Sequence, residues 1–221
     1  LNRYLQTLCM MGYVHKTKDL KYVPGIMTCV FGQSNSLFYI LRDRARIYLE
    51  AICKSYNISV AVFGFSGTDI IAIDKMTAKE NVDMQETFSY IPINFKGPWG
   101  TLYLSTLSIE DAKVLYCEKC GERADMIQLK VFLEFFIKTG YADDLGFARI
   151  GYRRIAYPIY SPTGEMIGAL GVSTLAEHLN ENIIDSICYD LNQYSKKLSS
   201  CDDTGAVENH LKGAGYLIEK A

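Results

Sequence analysis

Apolar residues recur at helical spacing in some stretches of the chain and alternate in others, and these two periods predict its elements. Leu1, Leu5, Leu8 and Cys9 predict a helix over 1–11, with Gly12 as its C-cap. Tyr13-Val14 and Lys21-Tyr22-Val23 flank a polar turn and read as a short hairpin. Residues 24–35, with Gly25, Gly32, Ser34 and Asn35, read as a linker with room for a short helix. Ser36 is a candidate cap for the next helix. That helix carries Leu37, Ile40, Leu41, Ile47, Tyr48, Ala51 and Ile52 inward and Arg42, Arg44 and Arg46 toward solvent. Ile58 to Phe65 and Asp69 to Lys75 are strand-like runs around the turn Ser66-Gly67-Thr68. Residues 76–90 are polar and read as a loop, in which Met76, Met84 and Phe88 either line a pocket mouth or fill the core.

Gly97-Pro98-Trp99 starts a helix with Pro at its first position, continuing through Leu102, Tyr103 and Leu107. Ser108-Ile109-Glu110-Asp111 resembles a capping box for a short helix ending near Tyr116. Met126 to Lys138 is amphipathic, with Ile127, Val131, Leu133, Phe135, Phe136 and Ile137 apolar and Gly140 as the stop. Ile150 to Tyr160 and Met166 to Thr174 pair across Ser161-Pro162-Thr163-Gly164, a type I turn signal. Glu181 to Ser199 is a last helix, with Ile183, Ile184, Ile187, Leu191, Tyr194 and Leu198 on one face. Residues 200–221 extend beyond it, with Leu211, Tyr216, Leu217 and Ile218 available to pack back.

Strand alternation separates two faces of the central hairpin. Leu170 and Val172 share one face with Arg153, Ile155 and Tyr157, a combination suited to core packing. Ala169, Gly171 and Ser173 share the other with Arg154, Ala156 and Pro158. A small-residue face beside an arginine is either the floor of a pocket for an anion or a bed for a close-packed helix. The first amides of the helix at Pro98, those of Trp99 and Gly100, are free to meet an anion or water.

Composition narrows these readings. At 49% apolar and 22% charged, the chain of 221 residues can bury one large core or two small ones. Net charge is −2, so no global attraction to nucleic acid is implied. Residues 1–23 are locally basic, with Arg3, Lys16, Lys18 and Lys21 against Asp19 alone. A helix followed by a small basic hairpin is the second half of a winged helix-turn-helix, or else an ordinary surface helix and hairpin. On the first reading Asn2, Arg3, Gln6 and Thr7 face bases, while Lys16 and Lys18 meet phosphate. No run spans a bilayer and no signal peptide is visible, so we expect a cytoplasmic protein without membrane partners. Seven irregularly spaced cysteines suit a reducing compartment. Cys117-Glu118-Lys119-Cys120 lacks the further ligands of a zinc site, and His178 and His210 are remote in sequence. We expect no metal, cofactor or catalytic residue.

Several of these segments share a resemblance. Gly140-Tyr141-Ala142-Asp143-Asp144, Gly151, Ile155-Ala156-Tyr157-Pro158 and Gly171-Val172-Ser173 follow, without gaps, the spacing found in the effector-binding domain of IclR-type bacterial transcription regulators. Gly12-Tyr13-Val14 and Pro24-Gly25 match the family's recognition-helix end and wing, with Pro24 replacing the usual Leu. The resemblance implies an α+β chain: a partial winged helix, then a GAF/PAS-like domain with a curved antiparallel sheet flanked by helices. It places the C-terminal part of the DNA-binding domain at 1–23, a linker at 24–35, the effector domain at 36–199 and an extension at 200–221.

The same resemblance implies an effector cup contacted by Gly97, Pro98, Asp144, Arg154, Gly171 and Ser173. Pro98 stands where the family commonly has Ala, Arg154 where Cys is usual and Gly171 where Ser is frequent. With Trp99, Gly100 and Ala156, these residues form the candidate site. Arg154, the Trp99 and Gly100 amides and the Ser173 hydroxyl are expected to hold a carboxylate or another small anion. Asp144 then accepts from the effector or pairs with Arg154, which weakens the preference for anions. The expected protein is a ligand-responsive repressor or activator acting on a double-stranded operator as a homodimer or homotetramer. A stand-alone GAF-like sensor and a thiol-dependent enzyme on the same scaffold are the competing classes.

Overall fold

A computed structural model of the protein describes residues 2–28, 37–66, 69–78, 84, 86–91, 97–146 and 150–199. Leu1, the linker residues Gly32, Ser34 and Asn35, the cap Ser36, the turn residues Gly67 and Thr68, and the extension 200–221 lie outside the described residues. Two compact units divide the chain, Leu1–Asp43 and Arg44–Ala221. Among the described residues, no helix is long and apolar enough to cross a membrane.

The first unit holds α1 (Asn2–Met10) and a hairpin of β1 (Val14–Lys16) and β2 (Tyr22–Pro24). Leu5 and Cys9 are the half-buried positions of α1, four residues apart on one face. The Tyr13 amide reaches back to the Leu8 carbonyl at 2.9 Å and closes the helix end. The two strands are antiparallel, with Lys16 opposite Tyr22. The Thr17 hydroxyl donates to the Lys21 carbonyl and accepts from the Lys21 amide, both at 3.1 Å, which ties the turn. Residues 26–28 are helical.

α2 (Leu37–Tyr56) buries Leu41, Ala45, Leu49 and Ile52, a stripe at spacings of four, four and three. Ile47, expected inside, is 69% exposed. It lies two residues from both Ala45 and Leu49, roughly 200° around the helix from each. β3 (Ser59–Ser66) and β4 (Asp69–Met76) follow as the expected hairpin, and β5 (Tyr90–Ile91) closes the 76–90 segment as a short strand. Met84 is buried in the core, as one of the two readings has it, and Phe88 is exposed.

α3 (Pro98–Leu104) is followed by α4 (Ile109–Cys120). The Ser108 hydroxyl accepts from the Asp111 amide at 3.1 Å and donates to the Asp111 carboxylate at 2.7 Å, giving the expected box. α4 runs past Tyr116 because nothing breaks it before Gly121. Cys117 and Cys120 therefore belong to its last turn. α5 (Met126–Thr139) is capped by Asp125, whose Oδ1 accepts from the Ile127 and Gln128 amides at 3.0 Å each, worth about 1 kcal/mol. It ends at Gly140, held at φ 79°, where a side chain would be strained. Leu129 and Phe132 are its buried positions, while Ile127, Val131 and Ile137 face outward. The helix is apolar nearly all round, so the hydrophobic period alone does not choose its inner face.

β6 (Ala142–Asp143), β7 (Tyr152–Tyr160), β8 (Met166–Leu175) and α6 (Glu181–Ser199) complete the unit. The sheet order is β5-β4-β3-β8-β7-β6, antiparallel throughout. The Gly164 amide donates to the Ser161 carbonyl at 2.9 Å in the β7–β8 turn. Register sets Ala156 opposite Gly171 and Arg154 opposite Ser173, while Ala61 and Phe63 of β3 face Gly171 and Ala169. That small-residue face packs under Trp99, Leu102 and Tyr103 of α3. The Leu170/Val172 face lies toward α6, which packs on β7 and β8. α2 docks on α6 through a Tyr48–Tyr194 stack at 4.7 Å and a 2.8 Å hydrogen bond from the Tyr56 hydroxyl to Asp190. The result is an α+β unit, a curved antiparallel sheet flanked by helices.

Candidate effector site

Gly97 caps α3, Pro98 fills its first position, and all seven residues of the helix are buried. Trp99 drops from this helix onto the sheet. A Cβ at Gly171 would lie 2.9 Å from the indole Cζ3, too close to coexist. The Phe63 ring lies 4.4 Å from the Trp99 ring on the other side. The small-residue face is therefore a bed for α3, with Gly171 cut to fit the indole.

Arg154 stands at the end of that bed. Its guanidinium carbon is 5.5 Å from the Trp99 ring, a cation–π contact. Its Nη1 would lie 3.4 Å from a Cβ at Gly97. The Nε donates to Asp144 Oδ2 at 2.7 Å. Asp144 Oδ1 accepts from the Arg154 amide at 3.0 Å and the Gly146 amide at 3.1 Å. The Asp144 side chain is 0% exposed and that of Arg154 is 17% exposed. Of the two expectations for Asp144, the pairing with Arg154 is the one the structure displays. It holds Arg154 in place. Neither Nη1 nor Nη2 makes a hydrogen bond to a described residue.

The structure brings Gly97, Trp99, Asp144, Arg154, Ala156 and Gly171 together, and the buried Ser173 sits across the strand pair from Arg154. Pro98 and Gly100 are buried in the first turn of α3. A helix of two turns offers only a weak dipole at its first amides. Phe63, which wedges Trp99 from β3, was not singled out in sequence. Its signal was the alternation that puts it on the same face as Ala61.

The opposite face carries a second pair. Arg153 Nη2 donates to Asp143 Oδ2 at 2.7 Å, and Nε lies 3.2 Å from both Asp143 oxygens. Asp143 raises the Arg153 pKa further. Tyr141 stacks on Tyr157 at 4.9 Å, and burial pushes the Tyr141 phenol up to about 12. Burial also pushes the Cys188 thiol up. That is the opposite of an activated nucleophile, so Cys188 is a packing thiol.

In the first unit, Arg3, Gln6, Thr7, Lys16 and Lys18 are exposed. The side chain of Asn2 lies outside the described residues. The Thr7 hydroxyl donates to the Arg3 carbonyl at 3.0 Å, so it is already engaged within α1. Lys16 Nζ lies 5.6 Å from the Tyr22 ring centre across the hairpin.

Residues 39–200 match the family profile described as bacterial transcriptional regulator IclR C-terminal. The chain belongs to the IclR family. Solved IclR structures share its fold at low identity. The Thermotoga maritima IclR superposes with a TM-score of 0.62 at 23% identity, covering 89% of this chain and 82% of that one. An IclR homologue from Microbacterium hydrocarbonoxydans, complexed with 4-hydroxybenzoate, gives 0.70 at 16% identity over 93% and 85%. An IclR family regulator from Brucella abortus gives 0.69 at 17% identity over 90% and 78%. No curated protein sequence matches the chain significantly. As an IclR protein, it is a transcription regulator whose C-terminal unit is an effector-binding domain.

Proposed function

We propose that this regulator binds operator DNA through α1 and the β1–β2 hairpin and is controlled by a small carboxylate that pairs with Arg154. One observation carries the effector reading. Arg154 is anchored through Nε alone, so its two Nη groups remain beside Gly97 and Trp99, oriented for the two oxygens of one carboxylate. Ser173 and Gly97 flank that position, and Ala156 and Gly171 seat the Trp99 ring beside it. The 4-hydroxybenzoate in the Microbacterium structure supports an organic acid as the effector class. On the DNA side, Arg3 and Gln6 meet base edges while Lys16 and Lys18 meet phosphate. A homodimer or homotetramer supplies the copies that paired half-sites need. The effector biases that assembly by its difference in affinity for the bound and free forms.

Trp99 is the sole tryptophan and lies against Arg154, so its emission reports directly on the site. Small carboxylates are titrated into the protein while fluorescence and thermal unfolding are followed. An acid at ~100 times its Kd stabilises the fold by about 2.7 kcal/mol. The response disappears in Arg154→Ala. If no acid moves either signal, or if Arg154→Ala responds as the parent does, the carboxylate reading is wrong. DNA contact is tested separately by anisotropy against salt. Lys16→Ala lowers the slope of log K against log salt by about 1 if it meets phosphate.

A further inference from the structure

The last turn of α4 and the first residue of α5 bring the sulfurs of Cys117 and Met126 together at the surface, with Cys120 three residues further along α4. Cys117 and Cys120 are three residues apart on α4, so their side chains share a face of that helix. The chain then turns through Gly121–Arg123 and re-enters a helix at Met126. The Cys117 Sγ lies 3.8 Å from the Met126 Sδ. Cys117 is exposed and Cys120 is half-buried against the Tyr116 cluster. Sequence spacing marks only the two cysteines. Met126 adds a third donor that spacing alone does not join to them.

We infer that Cys117, Cys120 and Met126 form a binding site for monovalent copper. The separation of the sulfurs fits. Two sulfurs that each bind one ion at about 2.3 Å lie roughly 3.8 Å apart in tetrahedral and 4.0 Å apart in trigonal geometry. An ion therefore enters between Cys117 and Met126 without moving them apart. The donor set selects the metal. A thioether is a soft ligand, and thiolate with thioether favours monovalent copper over hard cations. Zinc wants four nitrogen, oxygen or thiolate donors. Among the described residues, no group of three or more His, Cys, Asp and Glu side chains could supply them. Binding exchanges two thiol protons for two copper–sulfur bonds, with no change of oxidation state. The bound ion links the end of α4 to the start of α5, across the turn that carries the Asp125 cap.

The test uses the reduced full chain under anaerobic conditions. Tetrakis(acetonitrile)copper(I) is titrated in competition with bicinchoninate, whose copper complex is coloured. The protein withdraws one copper per chain from the dye. Cys117→Ser/Cys120→Ser loses that uptake, while Cys9→Ser retains it. Met126→Leu weakens it by at least about tenfold, since losing a direct ligand exceeds the usual cost of losing a supporting one. X-ray absorption of the loaded protein shows sulfur neighbours only. Circular dichroism confirms that each variant is folded. Equal uptake by Met126→Leu and the parent overturns the proposal, because the thioether is then not a ligand. Undiminished uptake by the double serine variant overturns it by placing copper on other thiols. Loss of two mass units on mild oxidation, with no copper uptake by the reduced chain, shows a disulfide pair and overturns it as well.

Discussion

Arg153–Asp143 and Arg154–Asp144 are neighbours in sequence, yet they lie on opposite faces of the sheet and bond differently. Alternation sends consecutive residues to opposite faces. Arg153 spends both Nε and Nη2 on Asp143, in a site closed by Tyr141, Tyr157 and Cys188. Arg154 spends only Nε on Asp144 and keeps its other edge beside Trp99. The exposures follow suit, 25% for Arg153 and 17% for Arg154, each over a carboxylate at 0%. Exposure therefore does not separate the two pairs. The number of guanidinium nitrogens engaged does, two in Arg153 and one in Arg154. Of the two, only Arg154 has both Nη groups without a hydrogen bond to a described residue.

The largest expected effect breaks the closed pair. Asp143→Ala strands Arg153 and costs about 3 kcal/mol, read by urea denaturation. Replacing both partners, as Arg153→Met with Asp143→Leu, stays within about 1 kcal/mol of the parent and leaves effector binding intact. Next, Gly171→Ser pushes a Cβ into the Trp99 indole. It costs about 2 kcal/mol and shifts the tryptophan emission, because the ring must leave its bed. Arg154→Lys keeps the fold but loses roughly tenfold in effector affinity, about 1.4 kcal/mol. One ammonium cannot serve Asp144 and both oxygens of a carboxylate. Equal affinity in this variant would sink the bidentate reading.

The smallest effect lies at high pH on the closed face. Burial raises the Tyr141 phenol from 10.0 to about 12, so the folded chain holds its proton more tightly than the unfolded chain does. Its contribution is complete below pH 10 and is lost as pH rises through about 12. Tyr141→Phe flattens this alkaline limb of stability in part. Tyr56, raised to about 12 as well, keeps the remainder sloping.

The two long hairpins, β3–β4 and β7–β8, were legible in the sequence because turn residues separate their strand-like runs, whereas the pairing of β3 with β8 and the short strands β5 and β6 were not. The helix ends at Ser108 and Gly140 were legible for the same reason, since caps are local chemistry. The inner face of α5 was not, because Ile127 and Leu129 are equally apolar and only tertiary packing separates them. The fate of the small-residue face was not legible either. Gly171 and Ala156 are compatible with a ligand or with a ring from the chain itself, and Trp99 is 72 residues from Gly171 in the sequence. The Asp144–Arg154 pair was readable as one of two outcomes. Its saturation by the Gly146 and Arg154 amides depends on a loop conformation that spacing does not encode. Met126 was missed as a neighbour of Cys117 because a turn, and not a repeat, brings them together.

Both borders of the sheet are two-residue strands, β5 and β6. Beyond Ala156, the outer side of β7 is no longer paired by β6, and Pro158 there has no amide proton to offer. A stranger's backbone finds little to zip onto at that border, and the exposed apolar side chains Ile127, Val131 and Ile137 all belong to a helix. The architecture thus discourages fibre-like stacking. A contact made between helices, by contrast, can form and break without unravelling a ladder of backbone bonds.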